Sequence, residues 1–359
     1  MQKRLWAVLM AALPMGAILA PSPGWGWGHT GHVQLSAMAM RHLPDDLPAF
    51  LRSPAAIADV AELGAEPDVS RTTGTISGAT ANGRLQAAPT VHDSERDPGH
   101  YINADQDGTI LGGIVKLGAL PPTRGAYDTA QRQGGQTQYT AGYLPYTIID
   151  GWQQVRKDFG IWRAMQAGLA AARTDADRAW FTRTIALRER LIIRDIGTWS
   201  HYVTDGSQPL HVSIHFNGWG RYPNPNGYTN YAIHGPMEGA FVRRFIDFGA
   251  VEAAMVPSRD CGCAIEQRVP AYLTETLSHV VAIYEAGGAG DRPDLYRTAQ
   301  PAEVALVTAR LAAGASELRD QIIMAWRQSG DIAIGYPLVR VSDAVTGTVL
   351  ITPATFGAD

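Results

Sequence analysis

The sequence is poor in cysteine, in net charge and in long apolar runs. Only two of its 359 residues are cysteines, Cys261 and Cys263, and a bridge between them would close a tiny ring and tie down no long loop. We interpret this Cys-Gly-Cys segment as a loop detail, with a local disulfide or a metal ligand pair as the alternatives. Thirty basic side chains against 34 acidic ones exclude a protein that coats a polyanion through a general basic excess. A hydrophobic fraction of 45% with 18% charged residues excludes a disordered chain, so stability must come from a hydrophobic core.

The amino-terminal residues have the pattern of a secretory signal peptide. Lys3 and Arg4 precede an uncharged run from Leu5 to Ala20, which falls short of the ~20 apolar residues that a membrane-spanning helix needs. Small residues suited to signal cleavage end this run and recur in Gly24-Trp25-Gly26. We predict a signal peptide over 1–26, a catalytic domain over 27–359, and a secreted or periplasmic protein. An uncleaved membrane anchor is the alternative.

Apolar residues recur at helical spacing along much of the chain. Residues 28–42 show this period, and in the segment that follows Pro145 five apolar residues recur at alternating steps of four and three. Thr174 and Asp175 are typical of the start of a helix that continues towards Thr204. Further helices are predicted over 236–248, 266–286 and 301–328.

Outside these helices the sequence predicts irregular structure. The stretch 70–142 is rich in Gly, Thr, Asp and Gln and predicts long loops, whereas Val339–Ile351 predicts a small hairpin. No internal repeat is present in the sequence. The expected fold is mostly α, a single-domain multi-helix bundle with long loops that carry the site.

Histidines and acids at one-turn spacing are the most informative feature. His201 and Asp205 lie four residues apart on a predicted helix, hence on one face, and His211 follows just beyond its end. His234 and Glu238 repeat the spacing at the start of another predicted helix. Imidazole and carboxylate groups in this arrangement suit a divalent metal such as zinc. Spacing alone leaves surface hydrogen bonds and structural ion pairs equally open.

The segment Trp199–His211 resembles the signature shared by the bacterial zinc-dependent phospholipases C and the secreted type I single-strand nucleases of fungi and plants. After signal cleavage those enzymes begin with a tryptophan whose amino group and carbonyl bind zinc. Trp27-Gly28-His29-Thr30-Gly31-His32 resembles the nuclease start, with His32 as the partner ligand. A spacer after the signal peptide is the alternative interpretation of this segment.

Two shorter segments extend the resemblance. The loop around Asp68 resembles the one that supplies an Asp ligand and, three residues later, a phosphate-binding arginine, here Arg71. The histidine followed by an aromatic residue that the family uses as a ligand corresponds to His100. Asp68 could alternatively cap a helix, and Asp93 or Asp97 could compete with it as the ligand.

The resemblance implies three zinc ions. Their implied ligands are Asp68, His100, His201 and Asp205 for the first, the Trp27 terminus, His32 and Asp205 for the second, and His211, His234 and Glu238 for the third. Asp68, Arg71 and Asp205 would form the catalytic centre, where a metal-activated hydroxide attacks phosphorus in line while Arg71 binds the phosphate. No protein nucleophile is then required, and the chain has neither a Gly-x-Ser-x-Gly nor a His-Glu-x-x-His motif.

Two positions depart from the nuclease pattern and leave the substrate open. Glu238 matches the glutamate of the phospholipases, whereas the nucleases typically carry an aspartate at this position. Asn103 stands where the nucleases carry the acid that contacts the base. Tyr101 is either a base-stacking residue or a core residue. The resemblance also leaves residues 105–160 unplaced. We predict hydrolysis of single-stranded DNA or RNA to 5′-phosphate products, with 3′-nucleotidase activity.

Two other functions are weighed against this one. The first is a phospholipase C that acts on phospholipid headgroups with the same metals, and the second is a noncatalytic, metal-stabilised secreted protein. The expected partners are single-stranded nucleic acid or nucleotides, with phospholipid as the alternative substrate. We expect no stable membrane insertion after signal cleavage, and the sequence points to no obligate protein partner.

Overall fold

The computed structural model describes residues 26–71, 74–79, 85–89, 96–288 and 290–358, and these form mainly α-helices. The α-helices span Gly28–Arg41 (α1), Pro54–Leu63 (α2), Glu66–Val69 (α3), Arg124–Gln133 (α4), Gln138–Ala141 (α5), Leu144–Ala171 (α6), Asp175–Asp205 (α7), Val242–Phe245 (α8), Phe248–Ala253 (α9), Ile265–Leu277 (α10), Val280–Glu285 (α11), Pro301–Gln328 (α12) and Val341–Val345 (α13). Shorter helical turns cover Ala49–Arg52, Asp97–His100, Pro209–His211, Ser329–Asp331 and Pro353–Phe356, and a π-helix covers Pro236–Phe241. The predicted signal peptide, apart from Gly26, lies outside the described residues.

Strands are few and short. Gly74–Ala79 (β1) pairs antiparallel with Leu85–Pro89 (β2), and Ala333–Ile334 (β3) pairs antiparallel with Val339–Arg340 (β4). Within the described ranges, no helix combines the length and the apolar character that crossing a bilayer requires. The prediction of a mostly α, multi-helix single-domain bundle is confirmed.

The three longest helices, α6, α7 and α12, form the centre of the bundle. Thr174 caps α7, because its hydroxyl accepts a hydrogen bond from the Asp177 amide. Gly151 on α6 permits close approach: a Cβ there would lie 2.2 Å from Cδ1 of Trp199 on α7. Trp199 in turn donates its indole N–H to the Ile148 carbonyl at 2.9 Å. The last turn of α7 is thereby held in the core, and this turn carries His201 and Asp205.

Several element boundaries differ from the sequence prediction. The 236–248 helix is a π-helix followed by α8, and the 266–286 helix is divided into α10 and α11. The hairpin predicted over Val339–Ile351 lies earlier, in β3 and β4, because Gly335 adopts a positive φ of 85° in the connecting turn. Residues 341–345 are helical instead, since Val341 and Ala344 bury one face of α13. The stretch 70–142, predicted as loops, also holds β1, β2, α4 and α5.

A pair of carboxyl groups links α6 to α7 away from the histidines. Asp158 on α6 is fully buried and accepts hydrogen bonds from Gln154 and from Arg188 of α7, the latter at 2.7 Å. Burial and a hydrogen bond with Asp158 raise the pKa of Asp195 to about 6. Because the folded chain keeps this proton to a higher pH than the unfolded chain does, stability is lost as the pH rises from about 4 to about 6.

We expect Asp195→Asn to raise the melting temperature at pH 8 by a few degrees and to leave it nearly unchanged at pH 4. The amide has no proton to lose, so the pH-dependent penalty disappears from the folded state. Thermal unfolding of both proteins at the two pH values measures the difference. Asp59→Asn on the exposed face of α2 is the control. An equal shift at both pH values would contradict the assignment.

Candidate metal centre

Eight histidine and acidic side chains from separate segments converge beside the carboxyl end of α7. Each is less than a tenth exposed to solvent. They come from the first turns of α1, the short α3, the turns at 97–100 and 209–211, the end of α7 and the region of the π-helix. In chain order the residues are His32, Asp68, His100, His201, Asp205, His211, His234 and Glu238. Buried ionisable groups at this density require compensation, which a bound cation would provide.

The ligand atoms form three groups, in each of which they lie within 4.8 Å of one another. The groups are Asp68, His100 and His201; His32, His201 and Asp205; and His211, His234 and Glu238. The structure therefore brings the predicted ligand side chains together, but two of the groups differ from the predicted sets. His201 belongs to both of the first two groups, and Asp205 belongs to the second of these groups but not to the first.

Asp205 occupies the centre of the cluster. Its Oδ2 lies 3.2 Å from His201 Nε2 and 3.3 Å from His100 Nδ1, whereas its Oδ1 lies 3.4 Å from His32 Nε2. The two carboxylate oxygens thus face different groups of ligands. A carboxylate in this position would be able to hold a cation on each of its two sides.

Glu238 joins the third group from inside the π-helix. Its Oε1 lies 2.7 Å from His234 Nε2 and 3.3 Å from His211 Nε2, and it accepts a hydrogen bond from Gln208 Nε2 at 2.6 Å. Single π-helical turns occur frequently at functional sites. Gln208 was not predicted from the sequence, although it lies within the Trp199–His211 segment.

Hydrogen bonds at Nδ1 set the orientation of four imidazole rings. His201, His211 and His234 place Nδ1 2.7–2.9 Å from the main-chain carbonyls of Gly64, His100 and Phe216, and His32 places Nδ1 2.9 Å from the Thr204 hydroxyl. A carbonyl can only accept, so Nδ1 carries the proton in those three rings. Nε2 of His211 and of His234 makes no hydrogen bond and is free to bind a metal, an arrangement typical of zinc sites, whereas Nε2 of His201 lies 3.0 Å from His100 Nδ1.

Unsatisfied polar atoms provide a direct test of whether a metal fits. In the described part of the chain, several buried ligand atoms make no hydrogen bond: both carboxylate oxygens of Asp68 and of Asp205, Glu238 Oε2, and Nε2 of His32, His211 and His234. Buried polar atoms without hydrogen bonds are uncommon in folded proteins. Oxygen and imidazole nitrogen are ligands that zinc accepts, so the residues present fit this metal.

Burial keeps most of these imidazoles in the metal-binding form. It lowers the pKa of His100 and of His234 to about 4, and with the neighbouring His201 it lowers the pKa of His32. Burial also opposes ionisation of Asp205, but the charges of His201 and His211 hold its pKa well below the usual value. His201 is the exception, because although burial opposes its charged form, the carboxylates of Asp205 and Asp68 raise its pKa. Zinc requires an ionised carboxylate and neutral imidazoles, so a zinc ion bound by His201 would displace the proton of that ring.

Glu238 gives the third group a pH dependence. Burial raises the pKa of this carboxyl to about 8, so the metal-free side chain holds a proton that a bound cation would displace. We expect zinc affinity at this group to rise about tenfold per pH unit up to pH 8 and then to level off. Competition titrations against a chelator at several pH values measure it. Glu238→Gln is expected to remove the slope and Glu252→Gln to retain it; a slope that persists in Glu238→Gln would contradict the assignment.

The predicted amino-terminal ligand lies at this cluster. Trp27 is fully buried, and its indole N–H lies 2.8 Å from the Ser207 hydroxyl and 3.0 Å from the Thr204 carbonyl. A Cβ on Gly26 would lie 2.2 Å from Asp205 Oδ1 and 2.3 Å from His32 Nε2. The peptide that would be cut to expose the Trp27 amino group is therefore adjacent to the second group of ligands.

Arg71 lies against the cluster, but the two predicted base contacts face elsewhere. Arg71 Nη1 lies 3.6 Å from Asp68 Oδ1, and its Nε pairs with Asp97, which therefore holds the arginine and is not a ligand in the three groups. Tyr101 is half-buried and packs against Gly142, and the Asn103 side chain donates to the Thr140 carbonyl at 3.1 Å. Asp93, the other alternative ligand, lies outside the described residues.

A cleft of mixed polar and apolar lining lies between α6 and α7. It has a volume of about 340 Å³ and reaches Gly99 and Tyr202, whose ring centroid lies 4.9 Å from that of His100. Its charged lining residues are Arg96, Arg124, Asp150 and Asp195. The cleft thus carries both signs of charge, and its lining includes neighbours of His100 and His201 in sequence but none of the eight ligands themselves.

The comparisons with known proteins show limited similarity. No protein-family model matches the chain, and no curated protein matches it. Among solved structures, alpha toxin from Clostridium absonum is similar with a TM-score of 0.40 and 10% identity, over 87% of this chain and 68% of that chain. Alpha-toxin from an avian strain of Clostridium perfringens is similar with a TM-score of 0.35 and 9% identity, over the same shares.

Proposed function

We propose that this chain is an exported, zinc-dependent hydrolase of phosphate esters, related to the phospholipase C and type I nuclease superfamily. The observation that carries the proposal is the cluster of eight buried ligands in three groups with an arginine beside them. A metal-stabilised protein without activity would need the ligands but not an arginine placed next to them.

Each group has a distinct part in this proposal. The three groups of ligands would each hold one zinc ion, with the Trp27 terminus completing the second. Zinc bound there would polarise phosphoryl oxygens and lower the pKa of a bound water. Arg71 would bind the phosphate through its guanidinium, whose orientation Asp97 fixes. His32, His201, His211 and His234 are held by Nδ1, so their Nε2 atoms keep their directions through the reaction.

Phospholipid is the substrate class that the described residues favour. Tyr101 and Asn103, the side chains assigned to base recognition, already contact residues 140–142. The neighbouring cleft contains both acids and arginines, which suits a zwitterionic headgroup better than a uniformly anionic strand. Val69, next to the ligand Asp68, is 66% exposed and offers an apolar contact beside the site. Single-stranded nucleic acid is the second candidate, because the Trp27–His32 segment corresponds to the nuclease start.

Parallel assays separate the candidates. We would measure phosphocholine release from phosphatidylcholine vesicles and nucleotide release from single-stranded DNA and RNA, with and without chelator. Chelator-sensitive release from vesicles alone supports the phospholipase, and release from nucleic acid alone supports the nuclease. Zinc binding with neither activity would refute the proposed hydrolase.

A matched pair of histidine variants ties activity to the site. His234→Gln removes a proposed ligand, whereas His279→Gln removes a surface histidine that pairs with Glu275 at 2.8 Å. We expect the first variant to lose one zinc ion and its activity, and the second to retain both. Equal losses in the two variants would show that the effect is not specific to the centre.

A further inference from the structure

Cys261 and Cys263 form a disulfide on the protein surface, outside the three groups of proposed metal ligands. Cys261 is exposed and Cys263 is half-buried. The bridge closes a loop of three residues, so it removes little conformational entropy from the unfolded chain and joins no separate elements. A structural role would require a longer loop or a second element held by the bond.

Other interactions hold the segment that carries the disulfide. The Arg259 amide donates to Asp320 Oδ2 at 3.0 Å, and the Gly262 amide donates to Asp260 Oδ1 at 3.0 Å. Arg268 donates to the Arg259 carbonyl at 3.2 Å and forms two hydrogen bonds with Glu317 of α12, at 2.7 and 2.8 Å. The segment is thus fastened to α10 and α12 without the help of the S–S bond.

The two sulfur atoms differ in their surroundings. Cys261 Sγ lies 3.9 Å from the Arg268 guanidinium and 3.3 Å from the Cys263 amide nitrogen, which donates to it. Both groups stabilise negative charge on that sulfur. A cation close to a cysteine lowers the pKa of its thiol, and a thiol of lower pKa leaves a disulfide faster. Cys261 is therefore the better leaving group.

We propose that the Cys261–Cys263 bridge is an exchangeable, redox-active disulfide that accepts two electrons from a dithiol. A thiolate of the dithiol attacks Cys263 Sγ, the S–S bond breaks, and its electron pair passes to Cys261 Sγ as a thiolate beside Arg268. The second thiolate of the dithiol then attacks the first sulfur of the same dithiol, which is bonded to Cys263 in the mixed disulfide, and Cys263 leaves as a thiolate. Two protons reach the cysteines, the dithiol becomes a disulfide, and the protein holds two thiols.

Reduction of the folded protein tests this proposal. Dithiothreitol would be added without denaturant, thiols would be trapped by alkylation and counted by mass spectrometry, and thermal unfolding would be recorded for both redox forms. We expect complete reduction of the folded protein and melting temperatures within about 2 °C of each other. Resistance to dithiothreitol until the protein unfolds, or a fall of more than about 5 °C on reduction, would overturn it.

Variants of Arg268 test the electrostatic part. Arg268→Gln is expected to slow reduction by about three- to tenfold, because the Cys261 thiol becomes a poorer leaving group, whereas Arg268→Lys keeps the charge and the rate. Glu317→Gln removes the same ion pair but leaves the cation, so it controls for loosening of the segment. A rate unchanged in Arg268→Gln, or lowered equally in Glu317→Gln, would refute the role of Arg268. If a variant does not fold, the wild-type reduction still decides the main claim.

Discussion

Replacing Asp205 with asparagine is expected to abolish turnover and to remove more than one metal ion. The two oxygens of Asp205 face different ligand groups, at 3.4 Å from His32 Nε2 and 3.2 Å from His201 Nε2. An amide offers a single neutral oxygen and an N–H₂ group that repels a cation, so it serves neither group well. Loss of several kcal/mol of charge stabilisation corresponds to a fall of roughly 10³-fold or more in kcat.

Metal analysis and steady-state kinetics of the same preparation check this prediction. Asp195→Asn makes the same chemical change on the same helix outside the three ligand groups, and is expected to leave metal content unchanged. A full complement of metal in Asp205→Asn would refute the bridging role. Loss of activity with no loss of metal would instead assign Asp205 a role in the reaction alone.

A chain that retains residues before Trp27 is expected to lose one metal ion and on the order of 10²-fold in activity. Retained residues convert the amino group into a peptide nitrogen, which is no ligand for zinc at neutral pH. Gly26 itself lies beside the ligand atoms of Asp205 and His32, so a retained Gly26 takes up space next to them.

Two preparations make the comparison direct. One begins at Trp27, and the other carries a removable extension that ends in Gly26. We expect proteolytic removal of the extension to restore both metal content and turnover. Full activity with the extension in place would contradict the amino-terminal ligand, while leaving the other ligands of the centre unaffected.

Regular periodicity made most of the helices predictable. The spacing of apolar residues and the Thr174 cap located α7, and the same helix period placed His201 and Asp205 on one face. Asp68 and His100 lie far from that helix in sequence, so only the resemblance to known enzymes suggested them. No local pattern shows which distant segments will meet, because folding determines those contacts.

The sequence did not predict the hydrogen bonds and ion pairs that hold the ligands and Arg71 in position. Gln208 donates to Glu238 and Asp97 holds Arg71, yet both are ordinary polar residues with no distinctive spacing. Two cysteines with one glycine between them do not reveal their oxidation state, so the sequence leaves a plain loop and a local disulfide both open, and the structure contains the disulfide. Three-dimensional neighbours decide such roles, and composition carries little information about them.

Main-chain carbonyls hold the rings of His201, His211 and His234 through Nδ1, so the ring directions do not depend on the cation. Most of the conformational entropy of ordering these ligands is therefore lost when the chain folds and not when metal binds. We expect a chelated sample to recover as soon as zinc is returned, without refolding. Substitution by cobalt, whose colour reports coordination, would then show whether the ligand side chains are already in place before the metal binds.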